Sequence, residues 1–348
     1  MARLFNLLNR DLRAGIDFGR RARIERPIEV KMKNDLNVRT VGIVGCGLIG
    51  MSWAAYYLAK GFAVRATDPV AGAEDKLRAY IDSAWALLEE TGLEPGADKN
   101  NLTFSTDLKE SLRGVDFVQE NGPERVDLKL KLFKEISESV GKDVIIASSS
   151  SGIPVSNFQT EAINPARILL GHPFNPPHVV PLVEVVGGKL TSAENVTRAV
   201  TFYAQIGKKP IRMKKEMKGH IANRIQAAVF REVLYLLDQD AASLADIDIA
   251  MAHGPGLRWA ILGQFMNANL GGGDAGIKHL LEHLGPAMEV WWADLGRFER
   301  ITPQMAEKAE AGINEILKVH KASDIAAARD NVLLKTLKAK VAESRLPY

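Results

Sequence analysis

The sequence predicts an α/β fold, a doubly wound and mainly parallel sheet followed by an all-helical C-terminal domain. Three observations predict it. Short apolar strand-like runs alternate with helix-compatible segments from residue 41 to residue 186. A glycine-rich turn joins the first of those runs directly to a helical pattern. After Gly207 the alternation stops and helical patterns take over. The length of 348 residues agrees, being about twice the common single-domain size.

Composition narrows the class. A net charge of +3 from 45 basic and 42 acidic residues gives no reason to expect nucleic acid or an anionic membrane as partner. The single cysteine, Cys46, excludes an intrachain disulfide framework and fits a reducing, cytoplasmic compartment. No apolar run has the length of a membrane span, and no secretion signal is recognisable near the start.

The elements follow in order. Residues 1–38 read as an N-terminal extension. They carry seven arginines but no serine, and Asp11, Asp17, Glu25, Glu29 and Asp35 argue against an organelle transit peptide. Order begins with the apolar run Val41 to Val44, which suits a buried strand. Gly45, Cys46, Gly47, Leu48, Ile49 and Gly50 then spell GxGxxG, and an apolar helix continues to Lys60. Dinucleotide binding needs this order. Gly45 makes the tight turn, Gly47 lets a pyrophosphate approach the backbone, and Gly50 lets the helix pack on the strand. The second strand, Ala63 to Thr67, ends at Asp68, an acid 18 residues past Gly50 and placed to accept ribose hydroxyls. Asp68 would repel a 2′-phosphate and Pro69 follows it, so NAD is favoured over NADP. These features make the first domain Rossmann-type.

Further strands are expected at Val115 to Gln119, Val144 to Ala147, Ile168 to Leu170 and Leu182 to Val186. A helix fits Glu124 to Ser139, with Leu128, Leu132, Phe133 and Ile136 on one face. Polar residues gather where these strands end: Asp68, Glu120 to Glu124, Ser148 to Ser151, and His172 to Asn175. Ligands bind at such ends. A long helical pattern from Gly219 to Asp240 opens the last third. A boundary near residue 210 therefore separates a nucleotide domain, 39–210, from a helical domain, 211–348.

The stretch GHPFNPPHVVPLVEVVGG, Gly171 to Gly188, sets His172 against Glu184. Taken alone it does not choose between a buried structural ring and half of a catalytic pair, and a lone histidine beside an apolar strand is more often a satisfied core residue. His178, His220, His253, His279 and His283 show no metal-ligand spacing, and no metal is expected. Cys46 inside the glycine turn reads as a small side chain pointing away from the ligand.

Residues 39 to about 300 resemble the 3-hydroxyacyl-CoA dehydrogenase superfamily, through GCGLIG, ENGPERVDLK, SSSSG, GHPFNP, PLVEV and KEMKGHIANRIQAA in that order. The resemblance implies an NAD-binding Rossmann domain and a helical C-terminal domain that commonly forms a homodimer interface. It puts His172 and Glu184 on the family's catalytic histidine and glutamate, and Ser151 and Asn223 on residues lining the reaction centre. Glu124, Lys129, Ser151 and Asn175 fall on positions that contact the cofactor. Within that resemblance the chemistry is coherent. Oxidising a secondary alcohol needs a base beside the cofactor, an imidazole suits it, and a carboxylate behind fixes its tautomer. For Ser151 a plain turn, and for Asn223 a helix cap, are the alternatives.

The substrate is less legible. Residues 69–101, where the acyl-CoA enzymes receive CoA phosphates on basic residues, hold Lys76, Arg78 and Lys99 against seven acids, a poor surface for a polyanion. The segment His253 to Trp292, with GLRWA, GGDAG and GPA before a tryptophan, resembles the L-carnitine dehydrogenase branch. The GHPFNP form is shared with that branch and with the lambda-crystallin type L-gulonate 3-dehydrogenases. This implies a small 3-hydroxy acid, carnitine first, whose quaternary ammonium suits the aromatic faces of Trp259, Trp291 or Trp292, with Arg258 for a carboxylate. Tryptophans in helical domains also serve as core or dimer-interface residues. A CoA thioester and gulonate are the alternative substrates. A non-catalytic, crystallin-like role is the other class, which the intact His172, Glu184, Ser151 and Asn223 set disfavours.

Overall fold

Eight strands form one sheet in the computed structural model, which describes residues 36–347: β1 (Thr40–Val44), β2 (Ala63–Thr67), β3 (Leu102–Ser105), β4 (Phe117–Glu120), β5 (Ile145–Ser148), β6 (Ile168–Pro173), β7 (Leu182–Gly187) and β8 (Lys209–Arg212). Apart from residues 36–38, the expected N-terminal extension lies outside the described residues. The spatial order is β3-β2-β1-β4-β5-β6-β7-β8. All neighbours pair in parallel except β6 and β7, which run antiparallel. Between β1 and β4 the winding reverses direction, which opens a crevice at the carboxyl ends of the strands.

Helices α1 (Leu48–Ala59), α2 (Ala73–Thr91), α3 (Leu108–Ser111), α4 (Val126–Ser139) and α5 (Ala193–Gln205) connect the strands. Side chains alternate across each strand and feed two apolar layers. Val41, Ile43, Ile145 and Ala147 join Trp53, Tyr57, Leu77, Phe202 and Tyr203 in one. Val44 and Ile146 join Phe133, Ile136 and Phe158 in the other. Central strands covered on both faces read as continuous apolar runs, so the expected fold class is the observed one.

After β8 the described chain is helical: α6 (Ala222–Asp238), α7 (Leu244–His253), α8 (Pro255–Ile261), α9 (Gln264–Gly271), α10 (Gly276–Asp294), α11 (Pro303–Leu317) and α12 (Ala322–Ala342). The expected boundary near residue 210 falls inside β8, whose Ile211 pairs with Glu184. The sheet thus runs two residues further than the apolar pattern signals. Helices α7 to α10 bury none of their side chains. Among the described residues no helix is long and apolar enough to cross a membrane.

Candidate active site

Local backbone demands explain the glycine turn. Gly45 lies at φ +88°, and a Cβ there would sit 2.8 Å from the Asn121 carbonyl. A Cβ on Gly50 would lie 1.9 Å from the Gly45 carbonyl oxygen, so α1 leaves β1 only with glycine at that position. A Cβ on Gly47 would meet nothing within 4 Å, so this side of the turn is open. Leu48 and Ile49 start α1, whose first turn holds no acid and no capping side chain. Its first N–H groups are left to an anion.

Asp68 at the end of β2 steadies the same turn, accepting from Cys46 N at 2.7 Å and Val70 N at 2.9 Å. The Cys46 thiol is buried and points to the Thr67 carbonyl at 3.7 Å. Burial, and then the Asp68 charge, push its pKa up to about 12, so the thiol stays protonated at neutral pH.

Beyond β4 and β5 the polar loops are tied together. Glu120 is fully buried and accepts from Lys129 Nζ at 2.8 and 3.0 Å and from Ser148 Oγ at 2.6 Å. The Lys129 ammonium also reaches the Gly122 carbonyl at 3.3 Å. An ammonium has three donors. All three are engaged within the loop here, so Lys129 holds the 120–124 segment from beneath. Glu124 is exposed and accepts from Ser150 Oγ at 2.8 Å, Gly152 N at 2.8 Å and Ile153 N at 3.1 Å, so it shapes the serine loop.

His172 and Glu184 face each other across the β6–β7 pair. Directly opposed residues project to one side of a sheet, so the register itself brings imidazole to carboxylate. His172 Nδ1 lies 2.9 Å from Glu184 Oε2, and both residues are buried. Glu184 Oε1 accepts from Ile221 N at 2.8 Å and Ala222 N at 3.0 Å, at the start of α6. Burial alone would raise the Glu184 pKa. The bonds from His172, Ala222 and Ile221 outweigh it and hold the carboxyl below its ordinary value. An ionised Glu184 accepts only, so Nδ1 of a neutral His172 carries the hydrogen. Nε2, which no group among the described residues bonds, is then a bare base.

The turn before α6 closes the site. Gly219 and His220 both adopt positive φ, 71° and 51°. His220 Nε2 lies 2.9 Å from the Ser150 carbonyl, and Asn223 Nδ2 donates to the Ser151 carbonyl at 3.0 Å. The His220 ring stands 5.0 Å from that of His172. Burial lowers its pKa below the ordinary histidine value; the Ser150 bond opposes this and nearby His172 adds to it. One segment thus gathers Glu184, the serine loop and a second histidine that the sequence reading had passed over. Its only sequence signal was GH immediately before the helix. Asn175 is exposed in the loop after β6.

The four residues suggested for substrate are not joined to this cluster. Trp259 Nε1 donates to Gln264. Arg258 and Trp259 lie on α8, which packs on α7 and α9, while Trp291 and Trp292 are exposed on α10, which packs on α9. No bond or ring contact links them to His172, Glu184, Ser151 or Asn223. Among the described residues no group of three His, Cys, Asp or Glu is arranged to hold a metal.

Comparison with known proteins gives consistent matches. The family model described as 3-hydroxyacyl-CoA dehydrogenase, NAD binding domain, matches residues 40–217, and that family's C-terminal domain matches residues 219–314. The chain is 41% identical to an L-carnitine dehydrogenase of Streptomyces coelicolor over 308 residues, 88% of this chain and 96% of that one. It is 43% identical to an L-carnitine dehydrogenase of Nocardiopsis dassonvillei over 302 residues, 87% and 92% of the two chains. Among solved structures it is similar to 5-formyl-3-hydroxy-2-methylpyridine 4-carboxylic acid 5-dehydrogenase, an NAD+-dependent dismutase. That likeness has a TM-score of 0.76 and 27% identity, over 88% of this chain and 99% of the other.

Proposed function

The chain belongs to the 3-hydroxyacyl-CoA dehydrogenase family and is an NAD-dependent oxidoreductase acting on CH–OH of hydroxy acids, and from that premise we propose that it oxidises the 3-hydroxyl of L-carnitine, with His172 as base. The observation that carries the substrate is the likeness to L-carnitine dehydrogenases across nine-tenths or more of their length. The open face at Gly47, the uncapped start of α1 and Asp68 suit the pyrophosphate and ribose of NAD, which when bound takes up the hydride.

The chain's own groups then do the following. The substrate hydroxyl donates to the bare Nε2 of His172, and the proton passes to that nitrogen as the C–H bond breaks. Glu184 stabilises the imidazolium through Nδ1 and prevents the ring from turning. Its own place is fixed by two backbone N–H groups, so little reorganisation accompanies the charge. Ser151 and Asn223, joined to each other, position the substrate oxygen.

The surface around α2 disfavours a CoA thioester. Arg78 pairs with Glu74 and Lys99 with Asp82, so two of the three cations of that stretch are already neutralised. The helices α7 to α10 are the face of a homodimer. They bury no side chain within one copy and expose Phe265, Val290, Trp291 and Trp292.

The test is NADH absorbance with carnitine, 3-hydroxybutyrate, gulonate and 3-hydroxybutyryl-CoA. Carnitine and 3-hydroxybutyrate differ in the trimethylammonium. Carnitine is expected to lead in kcat/KM, by roughly thirtyfold if the site holds that cation with about 2 kcal/mol. Far better turnover of 3-hydroxybutyryl-CoA overturns the carnitine reading and leaves the dehydrogenase mechanism standing.

A further inference from the structure

Glu184 owes its place to two N–H groups on a turn, and that turn is tied down on both sides. On the far side His220 and Asn223 join it to the Ser150 and Ser151 carbonyls. On the near side the chain arrives from β8 through Lys214, Lys215, Glu216, Met217 and Lys218, whose lysines are exposed. Glu216 is the single acid between Lys208 and Arg224. Both oxygens of its carboxylate are taken by one residue. Ser156 N donates to Oε1 at 2.9 Å, and Ser156 Oγ donates to Oε2. The same hydroxyl accepts from Lys189 N at 2.9 Å, two residues past the end of β7. Bonds to an ionised carboxylate are of the stronger, charge-assisted kind.

The strand that carries Glu184 and the linker that must bring N–H groups to it are thus pinned to one serine. From Glu216 the position is handed on over a short path. The Met217 carbonyl accepts from His220 N at 3.0 Å, and Ile221 follows directly. Ile221 N and Ala222 N then meet Glu184 Oε1 at 2.8 and 3.0 Å. We propose that Glu216 is a positioning residue for the reaction, fastening the linker so that these two N–H groups stay on Glu184 and Glu184 stays on His172. The inference rests on the reading of His172 as the base and Glu184 as its partner. Loosening the linker has a definite sign. A carboxylate that loses N–H donors becomes more basic and holds an imidazolium more tightly, so the acidic limb of the pH profile moves up. The titratable groups that face Glu184 are His172 on β6 and His220 on the turn; those beside Glu216 in the chain are Lys214, Lys215 and Lys218.

The test compares Glu216→Ala with Glu216→Gln. Both remove the charge, but glutamine keeps an oxygen for Ser156 N and an NH2 group that the Ser156 hydroxyl can accept, so their difference isolates the fastening. Backbone hydrogen exchange is read first. In the alanine variant the Ile221 and Ala222 amides are expected to exchange about tenfold faster, with those of β5 and β6 unchanged. Its kcat at high pH is expected to be roughly fivefold lower and its acidic limb about half a unit higher, with NAD bound as by the parent. The glutamine variant is expected to stay close to the parent throughout. Parental exchange at the two amides, an unmoved limb, or a glutamine variant that matches the alanine one each overturns the proposal. Should the alanine variant not fold, Ser156→Ala leaves the charge and one of the two bonds, and about threefold faster exchange at Ile221 and Ala222 is expected there; parental exchange again overturns the proposal. His172→Ala tells the two failures apart. Turnover that survives it removes the base itself, whereas turnover lost there with an unmoved limb in Glu216→Ala removes only the role of Glu216.

Discussion

Replacing Glu184 by glutamine keeps the shape of the side chain and removes its charge. Oε1 accepts two backbone N–H groups, at 2.8 and 3.0 Å, so the amide oxygen of a glutamine must occupy that place. Its NH2 group then faces His172 Nδ1 where Oε2 stood at 2.9 Å. Two donors cannot face each other. The imidazole therefore moves its hydrogen to Nε2, the nitrogen that must be bare to act as base. A hydrogen bond to a charged group is worth about 1.5–3 kcal/mol, or roughly 10- to 150-fold in rate, and the wrong tautomer adds to this. Glu184→Gln is expected to lower kcat by roughly a hundredfold or more. The acidic limb is expected to move down by about one to two pH units, because the imidazolium has lost its counter-charge. The sign for stability is opposite to that of a raised group. Glu184 is held below its ordinary value of 4.5, so its contribution is complete above that value and is lost as pH falls through the folded-state value. The glutamine variant lacks this part of the acid-unfolding slope. Steady-state NADH formation from pH 5 to 10, with NAD binding followed by fluorescence, measures all of this. A variant within threefold of the parent in kcat, with an unshifted profile, refutes the reasoning.

Three further expectations concern the cofactor side. Gly50→Ala forces a methyl to 1.9 Å from the Gly45 carbonyl oxygen, so calorimetry should show a loss of about 1–3 kcal/mol and titration a weakened NAD affinity; parental behaviour in both contradicts the packing argument. Asp68→Ala removes the acceptor of Cys46 N and the group that repels a 2′-phosphate, so NAD affinity falls and the NAD preference narrows when both cofactors are assayed. Equal turnover with NADP in the unmodified protein would sink that assignment. Cys46, with its thiol pushed up to about 12 by burial and by Asp68, should resist a thiol reagent at pH 8 in the native state, and prompt labelling without unfolding would count against it.

The central strands were legible because they are buried on both faces and so read as apolar runs. The two that escaped, β3 and β8, are the two edges of the sheet. LTFS buries one residue and KPIR none, and Pro210 further disguises the second, so no apolar run announced them. The glycine turn and Asp68 were visible as motif and spacing, His172 and Glu184 only through the family resemblance. The direction of β7 was not, although it decides why twelve residues of sequence become one hydrogen bond. Lys129 shows another limit. Its position in the motif does not report that it is 1% exposed against a wholly buried Glu120, which is a property of the packed loop. For His220 the sequence spacing speaks only against a metal. Its place depends on two consecutive left-handed residues that no periodicity reports.

The N–H groups that hold Glu184 come from Ile221 and Ala222, while Glu184 itself belongs to the sheet. A recombination boundary placed in the short segment between β8 and α6 would divide one functional device between two parents. The nucleotide fold could be inherited whole from one side and still arrive with its carboxylate buried among strangers. Chimeras of this chain with its relatives are therefore compatible or not at the level of a single turn, Lys218 to Asn223. The carboxylate and the turn that holds it, which fall on opposite sides of a map of domains, have to be exchanged together.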